Sequence, residues 1–273
     1  MDSSLVPATL SGVPRTMLLT TRARVDEHQR PNGIFRDPKV AAWWPALRWD
    51  TALDAMYRPN AQLTWAVRAH LIDQVVQRHL STYADAVVVE LGAGLSTRFY
   101  RVGQRCRHWL ELDLPEVTAL RRRLDTESDQ HRFISASALD FAWMDQVPTN
   151  SPKALLIIAE GLLMYFKPAQ VQALVGQLRQ QFPGATLTFD ALGNVGKASG
   201  NRWLAQLGAP LKWSIADERD VAALGLTVVD VRSLIQENCR YRDRIGLFGW
   251  VPWLSQLPPL RNAGLVVEAR LTP

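Results

Sequence analysis

Ala86-Val87-Val88-Val89-Glu90-Leu91-Gly92-Ala93-Gly94 is a β-branched apolar run that ends in a carboxylate and a Gly-x-Gly turn. A segment apolar at successive positions suits the central strand of a parallel sheet, which is buried on both faces. Glycine lets the chain turn sharply at the strand end and lets a ligand approach it. In open α/β sheets ligands settle at the carboxyl ends of strands. The reading predicts a strand over 86–91, then the turn, then a helix from about Ser96 to Val102 with Ser96 as its N-cap.

The pattern repeats downstream. Strands are predicted over 107–112, 132–136, 154–159 and 185–190, with a helix starting near Pro115 and another over 168–182. This β-then-α alternation argues for an α/β fold, a doubly wound sheet with mostly parallel strands. A helix over 217–224 and a strand over 227–231 follow. The terminal strand, 264–271, comes after a turn-rich stretch in place of a crossover helix, so it is expected to run antiparallel. Upstream, residues 16–82 read as helical, with loops at 30–33 and 58–60; Leu63, Val67, Leu71 and Val75 fall at helical spacing. Residues 1–82 are therefore assigned to an N-terminal helical cap, and 83–273 to the core with a substrate-side insertion near its C-terminus.

Composition narrows the function classes. Apolar residues make up 47% of the 273, enough for a large core and too many for a disordered chain. No apolar run reaches the roughly 18 residues of a membrane span, and no basic segment followed by an apolar stretch opens the chain. A cytoplasmic protein without membrane contact is expected. Cys106 and Cys239 suit a reducing compartment and lack metal-ligand spacing, so no metal site is expected. The net charge of +5 is largely arginine and could attract anionic substrates, but no basic run is long enough to track a nucleic-acid backbone.

The chemistry begins at Asp113, which follows the second predicted strand 21 residues after Gly92. A carboxylate there can accept from both ribose hydroxyls of an adenosyl group; a strand-end or helix-capping role is the alternative. Thr97 occupies the place where a dinucleotide fingerprint has its third glycine, which disfavours an NAD oxidoreductase. S-adenosylmethionine fits better. It carries a sulfonium, an ammonium and a carboxylate, so its pocket needs acidic and basic groups close together. Glu90 and Glu160, each ending an apolar run, are acidic candidates, since a buried carboxylate calls for a cationic partner. Asp140 could accept from the adenine amino group or could be a surface-turn residue.

Several motifs in register now resemble a known family. Val89-Glu90-Leu91-Gly92-Ala93-Gly94-Leu95-Ser96-Thr97-Arg98-Phe99-Tyr100-Arg101 looks like the first motif of the leucine carboxyl methyltransferase superfamily. That group includes phosphatase-methylating enzymes and a bacterial branch of tetracenomycin-type polyketide O-methyltransferases. Glu111-Leu112-Asp113-Leu114-Pro115-Glu116-Val117 matches its Asp-x-Pro-Glu-Val segment, and Glu160-Gly161-Leu162-Leu163-Met164-Tyr165-Phe166 its Glu-Gly-x-x-x-Tyr-Phe segment. Arg24 to Lys39, with Glu27, Arg30-Pro31, Phe35 and Asp37-Pro38, looks like its N-terminal signature. The resemblance runs from about residue 16 to 190.

The resemblance implies a class I S-adenosylmethionine methyltransferase: a Rossmann-like seven-stranded sheet under a helical cap. Gly92 and Gly94 would approach the cofactor, Asp113 would hold the ribose, and Leu139 and Asp140 would sit at the adenine. Glu160 would meet the methionine ammonium, and Arg68, or Arg24, the methionine carboxylate. The family usually has aspartate where this chain has Ser96, and either residue can cap a helix.

Methyl transfer is an in-line displacement, so the protein mainly aligns the reactants and excludes water. A carboxylate acceptor is already ionised at neutral pH and needs no base. A phenol would benefit from one, with Tyr165 or His28 as candidates. Trp43, Trp44, Trp49, Trp250 and Trp253 could line an apolar acceptor pocket or simply pack the cap. The expected activity is O-methylation of a carboxylate or hydroxyl on a small acidic or phenolic molecule such as a polyketide. Methylation of a peptide or protein C-terminus, or a catalytically silent cofactor-binding scaffold, are the alternatives. Nucleic-acid methylation is disfavoured, because Glu160-Gly161-Leu162-Leu163 replaces an Asn/Asp-Pro-Pro-aromatic element. Monomer and homodimer are both open.

Overall fold

In the computed structural model, which describes residues 12–49, 51–148, 151–245 and 252–272, the apolar run becomes β1 (Val87–Leu91), buried along its whole length. The other strands are β2 (His108–Asp113), β3 (His131–Ser135), β4 (Leu155–Ala159), β5 (Thr186–Leu192), β6 (Leu226–Ser233) and β7 (Gly264–Leu271). They form one sheet in the order β3-β2-β1-β4-β5-β7-β6. The first five are mutually parallel, whereas β7 runs antiparallel to both β5 and β6, as its turn-rich approach predicts. The chain leaves β1 towards β3 and returns to β4 on the other side of β1. A crevice therefore opens at the carboxyl ends of β1 and β4.

Helices α1 (Met17–Gln29), α2 (Pro38–Trp43) and α3 (Pro59–Thr82) precede the sheet. Helices α4 (Pro115–Leu124), α5 (Pro168–Gln181), α6 (Asn194–Leu204), α7 (Glu218–Ala223), α8 (Leu234–Asn238) and α9 (Pro258–Arg261) follow in turn. No helix among the described residues is long and apolar enough to cross a membrane.

The two-residue period of β1 divides the core. Val87, Val89 and Leu91 point to one face, where they meet Ile157 and the apolar stripe Val171, Leu174, Val175 and Leu178 of α5. Val88, Leu156 and Ile158 point to the other face, beneath Leu63, Val67, Leu71, Ile72 and Val75 of α3. Glu90 shares the α3 side with Val88, so its carboxylate is carried under a helix and not into solvent. α1 packs alongside α3 with Leu18 and Leu19 buried against Leu53, Tyr57 and Trp65.

Several segments depart from the sequence reading: residues 44–49 and 51–57, expected helical, hold only short 3-10 turns, and α8 and α9 were not expected. Residues 95–97 stay outside any helix, and a π-helical turn, Phe99–Gly103, replaces the helix predicted from Ser96. The Ser96 and Thr97 hydroxyls are engaged by Glu90 and Asp37, which holds this stretch in the loop. α6 lies outside the expected elements; Gly196 and Gly200 within it lower helix propensity.

Phe189, fully buried on β5 beside Trp213, anchors the first core face. Phe189→Ala is expected to lower stability by about 3–5 kcal/mol, measured by urea denaturation.

Candidate active site

Gly92 and Gly94 adopt left-handed backbone conformations, with φ of 61° and 56°. A Cβ on Gly92 would stand 2.8 Å from Leu162 Cδ1, a side-chain end that can shift, so it is the left-handed conformation that favours glycine there. The loop is locked to β2 by its own hydrogen bonds. Gly94 N donates to Asp113 Oδ2 at 2.6 Å and Leu114 N to Asp113 Oδ1 at 2.7 Å. Burial nevertheless pushes the Asp113 carboxyl up to about 6, against the pull of those two N–H groups.

A row of carboxylates crosses the α3 face of the sheet. Glu90 and Glu111 lie opposite each other on β1 and β2. Glu160, just past β4, and Asp190 on β5 continue the line. Arginines from the surrounding elements interleave with them. Arg68 on α3 donates from Nε to Glu160 Oε1 and from Nη1 to Asp190 Oδ2, both at 2.9 Å. Arg98 joins Glu90 to Glu160 through its two terminal nitrogens, and its Nε reaches Asp73 at 2.8 Å. Ser96 Oγ donates to the Glu90 carboxylate at 3.0 Å. Gly161 N donates to Asp190 Oδ1 at 2.5 Å.

The electrostatics divide this row. Burial pushes Glu90 up to about 7, outweighing Arg98, with Glu111 and Glu160 adding to the rise. Burial raises Asp190 as well, against Arg68. Glu160 behaves oppositely: burial opposes its charge, but Arg98 and Arg68 together hold it down to about 2.

A second set of contacts ties the cap to the glycine loop. Arg24 on α1 donates to Leu95 O at 2.8 Å and to Thr97 Oγ1 at 2.6 Å, and lies 3.5 Å from Asp37. Thr97 Oγ1 donates to Asp37 at 2.5 Å, and Arg101 bridges Asp37 to Asp73 at 2.7 and 2.8 Å. Thr97 thus has a structural duty that glycine could not meet. In this connected network five carboxylates (Asp37, Asp73, Glu90, Glu160, Asp190) face four guanidiniums (Arg24, Arg68, Arg98, Arg101). Burial lowers Arg24 to about 10, so it is the guanidinium least well compensated by its neighbours.

These groups open into a cavity of about 940 Å³, towards the top of the range for small-molecule sites. Arg68, Glu90, Gly92, Gly94, Asp113, Leu139, Glu160 and Tyr165 all line it, as does Arg24. Asp140 does not: it is exposed and accepts from Ala142 N at 3.4 Å, capping a short 3-10 helix. His28 also lies off the cavity, its Nδ1 accepting from Asp37 N at 3.1 Å. Tyr165 is buried, with its hydroxyl 3.4 Å from Thr16 Oγ1, and burial pushes its phenol up.

The tryptophans sort differently from the sequence reading. Trp43 covers the Arg121 guanidinium, and Trp44 packs near Trp49. Trp253 is exposed away from the cavity, and Trp250 lies outside the described residues. Among the described residues, Trp65 and Trp203 are the tryptophans that line the cavity. Sequence reasoning also passed over Arg98 and Asp190. Asp190 carried the same signal as Glu90, a carboxylate near the end of an apolar strand; Arg98 stood inside the quoted first motif.

The cavity brings acidic and basic side chains close together, as a ligand with the sulfonium, ammonium and carboxylate of S-adenosylmethionine requires. A doubly wound sheet of this strand order, with a glycine turn and acidic residues at the ends of β1, β2 and β4, defines a class I S-adenosylmethionine-dependent methyltransferase. The profile of the leucine carboxyl methyltransferase family matches residues 17–179, well over half of the sequence, and the chain belongs to that family. It is 29% identical over 215 residues to the tetracenomycin polyketide synthesis O-methyltransferase TcmP of Streptomyces glaucescens, covering 78% of each chain. It is 25% identical over 268 residues to the S-adenosyl-L-methionine-dependent methyltransferase dpfgK of Gibberella zeae, covering 89% of this chain and 88% of that one. Among solved structures, an S-adenosylmethionine-dependent methyltransferase from Mesorhizobium loti superposes with a TM-score of 0.49 at 16% identity, over 72% of this chain and 96% of that one.

Arg98 is the shared partner of the buried Asp73 and Glu90 and of the partly buried Glu160. Arg98→Met is expected to cost about 3–5 kcal/mol, the usual penalty for breaking a buried pair. The loss should be smaller at about pH 5 than at about pH 8, since carboxylates freed of their cation take up protons at the lower pH. Urea denaturation at the two pH values checks both the size and the sign.

Proposed function

We propose that this enzyme transfers a methyl group to an oxygen, carboxylate or hydroxyl, of a small molecule with an apolar body. The observation that carries this reading is the continuity of the cavity. It runs from Asp113 and the acidic row into a chamber walled by Met17, Met56, Trp65, Trp203 and Leu211. The similarity to TcmP, an O-methyltransferase of tetracenomycin polyketide synthesis, supports the same reading.

In this reading Gly92 and Gly94 let the cofactor reach the end of β1, and Asp113 receives the ribose hydroxyls. Leu139 borders the adenine. Glu90 and Glu160 face the ammonium, while Arg24, with Arg68, takes the methionine carboxylate. The bound cofactor supplies an electrophilic methyl group with a neutral thioether as leaving group.

Among the described residues no histidine lines the cavity. A carboxylate acceptor needs none, because it is ionised at neutral pH. Tyr165 keeps its proton there, since burial raises its phenol. Its role is therefore to donate a hydrogen bond that orients the acceptor, and not to act as a base. The walls of α1, α3 and α6 exclude water from the transfer.

Calorimetric titration with S-adenosylmethionine, S-adenosylhomocysteine and NAD, followed by a screen of carboxylic acids and phenols for methyl acceptance, tests this reading. Adenosyl compounds bind and NAD does not; at least one oxygen acid turns over. Cofactor binding without turnover of any acid or phenol would instead favour a silent scaffold.

Asp113→Ala is expected to weaken cofactor binding by about 1.5–3 kcal/mol. The pH dependence follows from the raised Asp113 carboxyl. In the free protein its contribution to stability is present below the ordinary aspartate range and is lost as pH rises through about 6. Hydroxyl donors favour the ionised form, so cofactor affinity should fall as pH drops through about 6, by up to about tenfold per unit. Asp113→Asn should lose that portion of the pH profile.

A further inference from the structure

α6 is an eleven-residue helix with no buried residue, yet its seat is tightly fixed. At Gly193, its N-cap, and at Gly196 a Cβ would run into the carbonyl oxygens of Asn262 and Ala263; at Gly200 it would stand 2.6 Å from Leu211 Cδ1. Asn201 pins the same neighbour from both sides: Leu211 N donates to Asn201 Oδ1 at 2.6 Å, and Asn201 Nδ2 donates to Leu211 O at 3.0 Å. The helix is thus docked through Gly193 and Gly196, where a Cβ would strike backbone and push it away.

The adjoining stripe of α6 carries Val195, Ser199 and Trp203, four residues apart and so on one side of the helix. All three line the cavity that contains the glycine loop and the acidic row. Val195 is 44% and Trp203 45% exposed, which is unusual for large apolar side chains in this molecule. A tightly seated helix that leaves an indole uncovered over a ligand cavity is arranged to cover something in that cavity.

We propose that the Val195–Ser199–Trp203 stripe is the acceptor-recognition surface, and that Trp203 lies against a flat, apolar, ring-bearing acceptor. This inference rests on the function proposed above and names the residue that sets acceptor specificity. A peptide terminus would bring backbone N–H and C=O groups into contact with this wall, which offers the Ser199 hydroxyl as its one polar side chain. A ring system makes no such demand, and the ring faces of Trp203 and Trp65 suit it.

The test is calorimetry on the protein saturated with S-adenosylhomocysteine, titrated with benzoic, 2-naphthoic and anthracene-2-carboxylic acids. Affinity for the unaltered protein rises with ring number. Trp203→Ala weakens the anthracene acid by roughly tenfold and flattens the series; Trp203→Phe retains most of the gain, and affinity for S-adenosylhomocysteine is unchanged in both. The inference is overturned if the cofactor product binds but no ring acid does, or if Trp203→Ala keeps the full rise with ring number. Failure of S-adenosylhomocysteine itself to bind removes the proposed function first, and this inference with it.

Discussion

Four neighbouring parallel strands bring carboxylates to one face of the sheet: Glu111 on β2, Glu90 on β1, Glu160 after β4 and Asp190 on β5. Like charges on adjacent strands repel, and more strongly where water is excluded. The row exists because guanidiniums fill the gaps. Arg121 lies 2.8 Å from Glu111, Arg98 couples Glu90 to Glu160, and Arg68 couples Glu160 to Asp190. Those arginines come from α4, from the turn after the glycine loop and from α3, so the same pairs that tolerate the charges also fix the elements around the site. Leucines in these positions would hold the helices as well or better, since buried ion pairs barely offset their desolvation. Retaining charge here makes sense for a site that must receive a charged ligand.

The glycine loop is where the two halves of the network meet. Arg24 and Asp37 come from the cap, and both bond to Thr97. Arg121, held between the rings of Trp43 and Phe133, reaches the Ser96 carbonyl. Ser96 in turn donates to Glu90. A displacement of α1 or α2 is therefore felt at the strand end that carries Glu90. With burial holding Glu90 near neutrality, this is also the place where the network is closest to losing a charge.

The sheet was legible because burial on both faces forces apolar runs at 86–91 and 154–159, and because glycine alone suits the turn between β1 and the next element. The antiparallel last strand followed from the lack of a crossover helix before it. The polar half of the site was legible in outline: Glu90, Asp113 and Glu160 all stand at or just past strand ends and all line the cavity. Arg98 was harder to see, since an arginine in a helical turn looks the same in sequence whether solvated or clamped by three carboxylates. Asp140 shows the converse problem. Its spacing placed it near the adenine, while its side chain caps a local turn and does not line the cavity.

The acceptor half was scarcely legible, and the reason is physical. Buried charges restrict which residues can stand opposite them, so the cofactor half writes itself into the sequence as acidic and basic residues at fixed places. An apolar wall is satisfied by many side chains of suitable volume, and its members come from elements far apart in the chain: Met17 on α1, Trp65 on α3, Trp203 on α6. In that wall Gly193 and Gly196, which face backbone, are individually required, and glycine lowers the helix propensity that would have revealed α6. What this enzyme does to its cofactor can therefore be read from residue types. In the proposed reading, what it accepts depends on how closely α6 is allowed to approach.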